Sequence, residues 1–174
     1  MENSKNESEI KDLNKTNNIK NCGKIKDEYE NIYEGEIMNG KANGKGTKNY
    51  KDGRIYTGLF KDNQREGKGI LTLYLSKRNK PNKNNMHFTN RYEGDYQNKK
   101  REGYGKFIMD NGDIYEGEFQ NNTLNGKGVY YWANGDKYEG KFKNNHKEGK
   151  GILSFKNGTI LDCIWKNDIP IVFN

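Results

Sequence analysis

The amino-acid sequence predicts an all-β protein built from consecutive β-hairpins in a thin, elongated arrangement. Three observations support this fold class: short runs alternate between apolar and polar residues, one phrase recurs along the chain, and the composition is lean in apolar residues. Of the 174 residues, 30% are hydrophobic and 32% are charged, which is little for a compact globule around a central core. The 21 Gly and 12 Tyr favour turns and aromatic strands over helices.

The repeating unit is clearest between Tyr115 and Gly140. Its first strand, 115–119, places Tyr, Gly and Phe on one face and two Glu on the other, which is typical of a half-buried strand. A polar turn over 121–125 is followed by a second strand over 126–132, rich in β-branched and aromatic residues. The pair Asn134-Gly135 is of the kind that supplies positive φ angles in tight hairpin turns. Each unit is therefore predicted to be a strand, a turn, a strand and another turn.

The same phrase returns five times, and its spacing predicts a repeat array. The Tyr-x-Gly phrases begin at intervals of 23, 36, 23 and 23 residues, and each is followed by a Gly-x-Gly pair at a fixed offset. Their first residues are Tyr33, Tyr56, Tyr92, Tyr115 and Tyr138. In such an array each unit buries its apolar face against its neighbours.

The predicted array extends over residues 23–174, with the partial units 23–32 and 161–167 as caps. Residues 1–22 form a polar segment with few apolar positions, for which we expect a disordered tail. The second unit is 13 residues longer than the others, and this basic insertion lies within 75–91. Because the strand before it is ordinary, the insertion should project from the closing turn, with a mobile tip near Pro81.

Localisation is expected to be cytoplasmic, with cytoskeletal or peripheral membrane association left open. No apolar run approaches the roughly 18 residues of a membrane span, and the first residues lack the apolar stretch of a secretory signal. The two cysteines, Cys22 and Cys163, have no partner at metal-ligand spacing and are expected to be reduced thiols.

The repeated phrases resemble those of the MORN (membrane occupation and recognition nexus) repeat family. The segment Tyr138-Glu139-Gly140-Lys141-Phe142-Lys143-Asn144 with Gly149-Lys150-Gly151 follows the family's unit closely. The resemblance covers 33–167 and departs from the pattern at Thr57, Leu59 and Cys163. It implies an elongated single-layer antiparallel sheet of consecutive hairpins, with about five full repeats and partial caps.

No residue pattern predicts a catalytic, cofactor-binding or metal site, so a non-enzymatic protein is expected. The segment 40–47 suggests a phosphate-binding loop, but its spacing is three instead of four and a strand follows where a helix should begin. The two histidines, His87 and His146, lack Cys, Asp or Glu at metal spacing. No cofactor is predicted.

Large side chains recur at fixed positions and predict an aromatic-lined sheet face. The first-strand positions are Ile37, Phe60, Tyr96, Phe119, Phe142 and Trp165, and the predicted second-strand positions are Tyr50, Leu73, Met109, Trp132 and Phe155. The glycines of each unit fall on the same face and provide space for neighbouring rings. Aromatic residues dominate binding hot spots. The candidate residues for binding a protein partner are Tyr96, Phe119, Trp132, Phe142 and Phe155. The resemblance implies partners of the cytoskeletal, motor or membrane-junction type.

The positive charge is concentrated in the first two units and the insertion. Residues 41–91 contain thirteen Lys or Arg against three Asp or Glu, a net charge of +10, whereas the whole chain carries +7. An alternative function is therefore a peripheral membrane module that binds anionic phospholipids or phosphoinositides. The candidate contacts are Lys77, Arg78, Lys80 and Lys83.

The composition and the ends of the array bear on two further kinds of partner, nucleic acid and a second copy of the chain. Nucleic acid is disfavoured because Arg, the residue suited to bidentate base recognition, numbers five against 26 Lys. An open sheet edge at 161–165 would allow two chains to pair end to end, so a homodimer stays an alternative.

Overall fold

The computed structural model describes residues 20–74 and 88–171, and these residues form thirteen β-strands. The all-β fold class is confirmed. The strands are β1 (Lys20–Lys26), β2 (Ile32–Met38), β3 (Lys41–Asn49), β4 (Arg54–Lys61), β5 (Gln64–Tyr74), β6 (Phe88–Gln97), β7 (Lys100–Ile108), β8 (Ile114–Gln120), β9 (Thr123–Tyr131), β10 (Lys137–Lys143), β11 (His146–Ser154), β12 (Ile160–Lys166) and β13 (Ile169–Ile171).

All thirteen strands belong to one open antiparallel sheet in which spatial order equals chain order. Each strand from β2 to β12 pairs with the strand before it and the strand after it, and β1 and β13 form the two edges. No other element of the described ranges lies over the sheet. At about 4.8 Å between neighbours, the sheet extends roughly 58 Å across its strands. The predicted single layer of consecutive hairpins is confirmed.

The ends of the sheet differ from the sequence-based prediction in two respects. Strand β1 begins at Lys20, within the segment 1–22 predicted as a tail, and residues 1–19 lie outside the described residues. At the other end, β13 pairs with residues 164–166 of β12. The edge predicted to be open at 161–165 is therefore covered over its last part, because the chain turns back once more after Lys166.

The insertion does not interrupt the sheet. Gly69 of β5 pairs with Gly94 of β6, in the register that the other units use for their glycines. The surplus residues follow Tyr74 and precede Phe88, at the predicted position of a closing turn. Residues 75–87, including Lys77, Arg78, Lys80, Pro81 and Lys83, lie outside the described residues.

The turn within each unit and the turn that closes each unit both differ from the predicted turn types. Within a unit, Asn121 and Asn122 have φ angles of 49° and 72°, so a two-residue type I′ turn joins the strands in place of the longer turn predicted over 121–125. At the closing turn only Gly135 has a positive φ, of 98°. Asn134 instead accepts a hydrogen bond from Asp136 N through its Oδ1 at 2.9 Å. In this turn Asn134 therefore supplies a side-chain acceptor, and Gly135 adopts the left-handed backbone conformation.

The type I′ turns are linked from unit to unit. Asn145 N donates to Leu124 O at 3.0 Å, and Leu124 N donates to Asn145 Oδ1 at 2.9 Å, so the side chain acts as a further peptide group. Lys99 has no side-chain acceptor and keeps only the bond from its N–H to Arg65 O at 3.1 Å. The same reciprocal pair of bonds joins Asn63 to Ala42, Asn122 to Arg101 and Asp168 to Lys147.

Each unit packs its first tyrosine over a pair of facing glycines. Gly117 lies opposite Gly128 in the β8–β9 register, and the Tyr115 ring covers both. Tyr115 Oη then donates to Glu118 O at 2.9 Å. The other glycine of the Gly-x-Gly phrase, Gly126, has a φ of 96° at a bulge between the same strands. The prediction that the glycines leave space for neighbouring rings is confirmed for the second glycine of the Gly-x-Gly phrase, Gly128, but not for the first, Gly126.

The close packing at Gly128 predicts a strong penalty for one added methyl group. A Cβ there would lie 2.6 Å from Tyr115 Cζ, whereas a Cβ at Gly23 on the edge strand would lie 3.0 Å from the end of the flexible Ile37 side chain. We expect Gly128→Ala to lower the free energy of unfolding by about 1–3 kcal/mol, because the ring cannot move out of its stack. Gly23→Ala should change it by less than about 0.5 kcal/mol. Urea unfolding followed by Trp fluorescence measures both values, and equal losses would contradict the packing role.

Candidate functional site on the aromatic face

Ten rings form one continuous edge-to-face series along the sheet, here called the aromatic ladder. Neighbouring ring centroids are 4.9–5.5 Å apart and the ring planes meet at 76–89°. This is the preferred geometry of aromatic pairs. In spatial order the rings are Tyr33, Phe60, Tyr56, Tyr96, Tyr92, Phe119, Tyr115, Phe142, Tyr138 and Trp165. The ladder takes the place of a hydrophobic core in this one-layer sheet.

Three of the predicted partner-binding residues belong to the ladder and are buried. Tyr96, Phe119 and Phe142 are 3%, 3% and 5% exposed. These three rings are therefore interior members of the ladder and do not form an exposed row. Each ring is covered because a tyrosine of its own unit and a tyrosine of the preceding unit both pack against it, as Tyr92 and Tyr115 do on Phe119.

The other two predicted residues are accessible, but they lie in turns. Trp132 and Phe155 follow the last residues of β9 and β11, as Tyr50 and Met109 follow β3 and β7, so their predicted position on second strands is corrected. Phe155 is 38% exposed and Trp132 is partly buried. Together with the strand residues beside them they form a partly exposed row along the ladder, here called the apolar flank: Phe107, Met109, Tyr130, Trp132, Leu153 and Phe155.

A buried carboxylate fixes the centre of the apolar flank. Asp113 is 7% exposed and accepts hydrogen bonds from Tyr130 Oη at 2.8 Å and from Ala133 N at 2.9 Å. Burial by itself raises the pKa of Asp113, but the hydrogen bonds from Ala133, Tyr130 and Asn111 outweigh it and the pKa is lowered. Asp113 is thus charged at neutral pH and holds both Tyr130 and the turn that carries Trp132.

A cleft of about 330 Å³ opens on the same face across β5, β6 and β7. Its floor and walls combine apolar side chains with three of the five arginines of the chain. We call it the arginine cleft, and its lining residues are Arg54, Arg65, Leu71, Leu73, Asn90, Tyr92, Tyr96, Arg101, Phe107 and Asn122.

Arg65 and Arg101 occupy equivalent positions in consecutive units, two residues before the first glycine of the Gly-x-Gly phrase. Arg65 Cζ lies 5.1 Å from the centroid of the Tyr96 ring, and Arg101 pairs with Tyr96 in the β6–β7 register. Sequence reasoning missed both residues. The signal was available, because Arg is rare in this Lys-rich chain and recurs at this one offset.

Two polar atoms in the cleft are buried without a hydrogen-bond partner among residues 20–74 and 88–171: Arg65 Nη1 and Tyr96 Oη. Burial raises the pKa of Tyr96 to about 12, so its hydroxyl is neutral and able to donate. Burial also lowers the pKa of Arg101, although a guanidinium stays charged at neutral pH. The cleft therefore presents donors and positive charge in partly dehydrated surroundings.

The opposite face of the sheet is different in character. It carries exposed ion pairs between neighbouring strands, such as Lys24–Glu34 at 3.3 Å and Lys68–Asp95 at 2.8 Å. Of its exposed apolar residues, Tyr131 pairs in register with Lys137 and Ile152 with Glu139, and these two charged residues form an ion pair at 3.1 Å. Continuous apolar surface is found on the aromatic face.

The described residues contain no cluster of three or more His, Cys, Asp or Glu able to hold a metal ion. The exposed His146 is hydrogen-bonded through Nδ1 to Asp168 Oδ2 at 2.6 Å, next to the bond from Lys147 N to the same carboxylate. These two bonds link the type I′ turn at Asn167-Asp168 to the preceding hairpin.

Among the described residues no helix is long and apolar enough to cross a membrane.

These features define a repeat protein of stacked hairpins that presents an aromatic face. The family model of the MORN repeat matches five segments, residues 33–53, 56–74, 92–114, 115–137 and 138–160, and the chain belongs to the MORN repeat family. Repeats of this family are non-enzymatic modules that interact with proteins or membranes. A search of curated proteins gave no match to the chain.

Two tyrosines of the ladder predict opposite responses to loss of the hydroxyl group. Tyr115→Phe removes the bond to Glu118 O and should lower the free energy of unfolding by about 0.5–1.5 kcal/mol. Tyr96→Phe removes a buried hydroxyl that has no partner among the described residues, so stability should be unchanged or higher. Urea unfolding of both variants measures the difference. A loss at Tyr96 as large as that at Tyr115 would show that its hydroxyl is satisfied in the free protein.

Proposed function

We propose that this protein is a non-enzymatic scaffold or adaptor that docks a segment of a protein partner on the aromatic face. The apolar flank carries this proposal, because it places partly exposed large side chains at equivalent positions of three successive units, with no second layer over them among the described residues. The resemblance of the repeats suggests partners of the cytoskeletal, motor or membrane-junction type.

The structure behind the flank supports a role in binding. Tyr130 and Trp132 are in ring contact, with centroids 4.8 Å apart, and Asp113 accepts hydrogen bonds from Tyr130 Oη and from the backbone of the turn that carries Trp132. Side chains fixed in this way lose little conformational freedom when a partner binds, so less of the contact energy is lost on association. Accessible aromatic residues with a rigid support are the usual anchors of protein interfaces.

The flank extends over several hairpins in the direction across the strands. Equivalent residues of adjacent units are separated by two strands, or about 9–10 Å. A partner segment that contacts Met109, Trp132 and Phe155 would therefore cover roughly 19 Å. That length suits a helix of about three to four turns or a shorter extended segment.

Replacing the accessible anchors should remove partner binding. We expect Trp132→Ser/Phe155→Ser to lower the recovery of partners from extracts of the native cell by tenfold or more, because two large apolar contacts are lost. Affinity capture with quantitative mass spectrometry measures the recovery of each captured protein relative to the unaltered chain.

A matched control lies on the opposite face. Tyr131→Ser/Ile152→Ser changes two side chains that are each 40% exposed. They lie on β9 and β11, the strands that Trp132 and Phe155 follow. This variant should retain the partners, and urea unfolding should show both variants folded. Recovery of every partner by the flank variant at the level of the control would overturn the proposal.

A second candidate function is contact with an anionic membrane through the basic segment 41–91. It is supported by the net charge of +10 in that segment. Among its described residues, Lys48, Lys51, Arg54 and Lys68 are already paired with carboxylates. The contacts predicted for this function, Lys77, Arg78, Lys80 and Lys83, lie outside the described residues.

Membrane contact predicts binding that depends on lipid charge and salt. The protein should co-sediment with liposomes that contain phosphatidylserine at low ionic strength. The bound fraction should fall as the salt concentration increases, because salt screens the surface charges. Changing Lys77, Arg78, Lys80 and Lys83 to Gln should abolish sedimentation, whereas changing Lys127, Lys141, Lys143 and Lys150 to Gln should not. Equal sedimentation with neutral liposomes would exclude this function.

A further inference from the structure

The geometry points to a specific ligand for the arginine cleft: an acidic peptide segment whose carboxylate lies between Arg65 and Arg101 and whose neighbouring apolar side chain packs on Leu71 and Phe107. This inference rests on the proposed function and gives it a chemical specificity. It concerns the arginine cleft, whose lining shares only Phe107 with the apolar flank.

The first step of the argument is unbalanced charge. Arg54 pairs with Asp52, with Nη2 2.6 Å from Oδ2, so its charge is neutralised within the turn. Arg65 and Arg101 form no ion pair with a carboxylate of residues 20–74 or 88–171 and donate only to the backbone carbonyls of Lys99 and Asn122, at 2.9 and 2.8 Å. The insertion residues 75–87 contain no Asp or Glu. Two guanidinium groups thus face one cleft without an anionic partner from the described sheet or the insertion.

The second step is the pair of unsatisfied donors. Arg65 Nη1 and Tyr96 Oη are buried and lack partners among the described residues, and Tyr96 stands between the strands that carry the two arginines. Buried donors without acceptors are uncommon in folded proteins and raise the free energy of the unliganded state. A carboxylate has two oxygens and can accept from a guanidinium and a hydroxyl together. Both atoms are covered in the unliganded protein, so a carboxylate in the cleft accepts from them once the side chains over them shift.

The third step is the apolar part of the lining. Leu71, Leu73 and Phe107 make up one side of the cleft, and Arg101 Cζ lies 4.8 Å from the Phe107 ring centroid. A small inorganic anion would leave this surface in contact with water. A peptide with an apolar residue beside its acidic residue satisfies both parts of the cleft. The volume of about 330 Å³ accommodates a few side chains rather than a folded domain.

The fourth step concerns continuity with the apolar flank. Phe107 belongs both to the flank and to the lining of the cleft. A segment bound along Met109, Trp132 and Phe155 can therefore continue into the cleft without leaving the aromatic face. The flank then supplies contact area, and the two arginines select the acidic residue and its position.

Peptide selection tests the inference without knowledge of the natural partner. The full chain is used to select from a phage library of random twelve-residue peptides. Selected peptides should be enriched in Asp or Glu adjacent to an apolar residue, and the enrichment should disappear with Arg65→Gln/Arg101→Gln. Arg91→Gln is the matched control, because Arg91 lies on the opposite face and pairs with Glu93 at 3.0 Å.

Fluorescence anisotropy then measures the affinity of one selected peptide. Its counterpart with Gln in place of the acidic residues should bind at least tenfold more weakly to the unaltered protein, but equally to Arg65→Gln/Arg101→Gln. Arg65→Lys/Arg101→Lys, which keeps the charge and loses the planar double donor, should also weaken binding. Tyr96→Phe should weaken it severalfold while leaving the urea midpoint unchanged or higher.

Three results would overturn the inference. Selected peptides could lack acidic residues, the arginine variants could bind the acidic peptide as the unaltered protein does, or inorganic phosphate and phosphatidylserine vesicles could displace it as well as unlabelled peptide does. The last result would assign the cleft to anions in general. A further result separates this inference from the proposed function. If the selected peptides show no preference for acidic residues but their binding is lost in Trp132→Ser/Phe155→Ser, the inference about the cleft is refuted and the proposed function stands.

Discussion

The structure depends on the contact between each repeat's tyrosine and the two glycines beneath it. A single-layer sheet has no second layer to cover its apolar face, so its large side chains must cover one another. The absence of side chains at Gly117 and Gly128 lets the Tyr115 ring lie flat enough to reach Glu118 O and still meet Phe119 and Phe142 at their edges. Repetition of this arrangement produces the ladder and explains how a chain with 30% hydrophobic residues folds.

Much of the fold could be predicted because its signals are local and repeated. Alternation within 115–119 assigns the faces, the 23-residue period gives the array, and the fixed offset of the glycines gives the register. The turn types were predicted less well. Asn-Gly is the strongest sequence signal for a type I′ turn, and Asn39-Gly40 has the two positive φ angles of one, but Asn134-Gly135 does not. In the unit 115–137 the type I′ turn lies at Asn121-Asn122, where reciprocal bonds to the neighbouring hairpin stabilise positive φ in two non-glycine residues.

The candidate site was predictable only in part because accessibility is a property of neighbouring strands. Alternation places Phe119 on the aromatic face but does not show that Tyr92 of the preceding unit covers it. The arginine cleft was missed for a related reason. Arg65 and Arg101 are 36 residues apart in sequence and flank Tyr96 only once β5, β6 and β7 are paired. The backbone acceptors of the two arginines are likewise set by the turns of the next unit, since Arg65 donates to Lys99 O and Arg101 donates to Asn122 O.

The strict agreement of spatial order with chain order has a consequence for how this protein is made. Because every strand pairs only with its immediate sequence neighbours, no pairing spans more than one hairpin and its turn, and the entropy lost in closing each loop is small. A hairpin emerging from the ribosome can add to the hairpin already formed without waiting for the end of the chain. Each added unit covers the exposed aromatic edge left by the preceding one, so the nascent protein grows as an ordered stack.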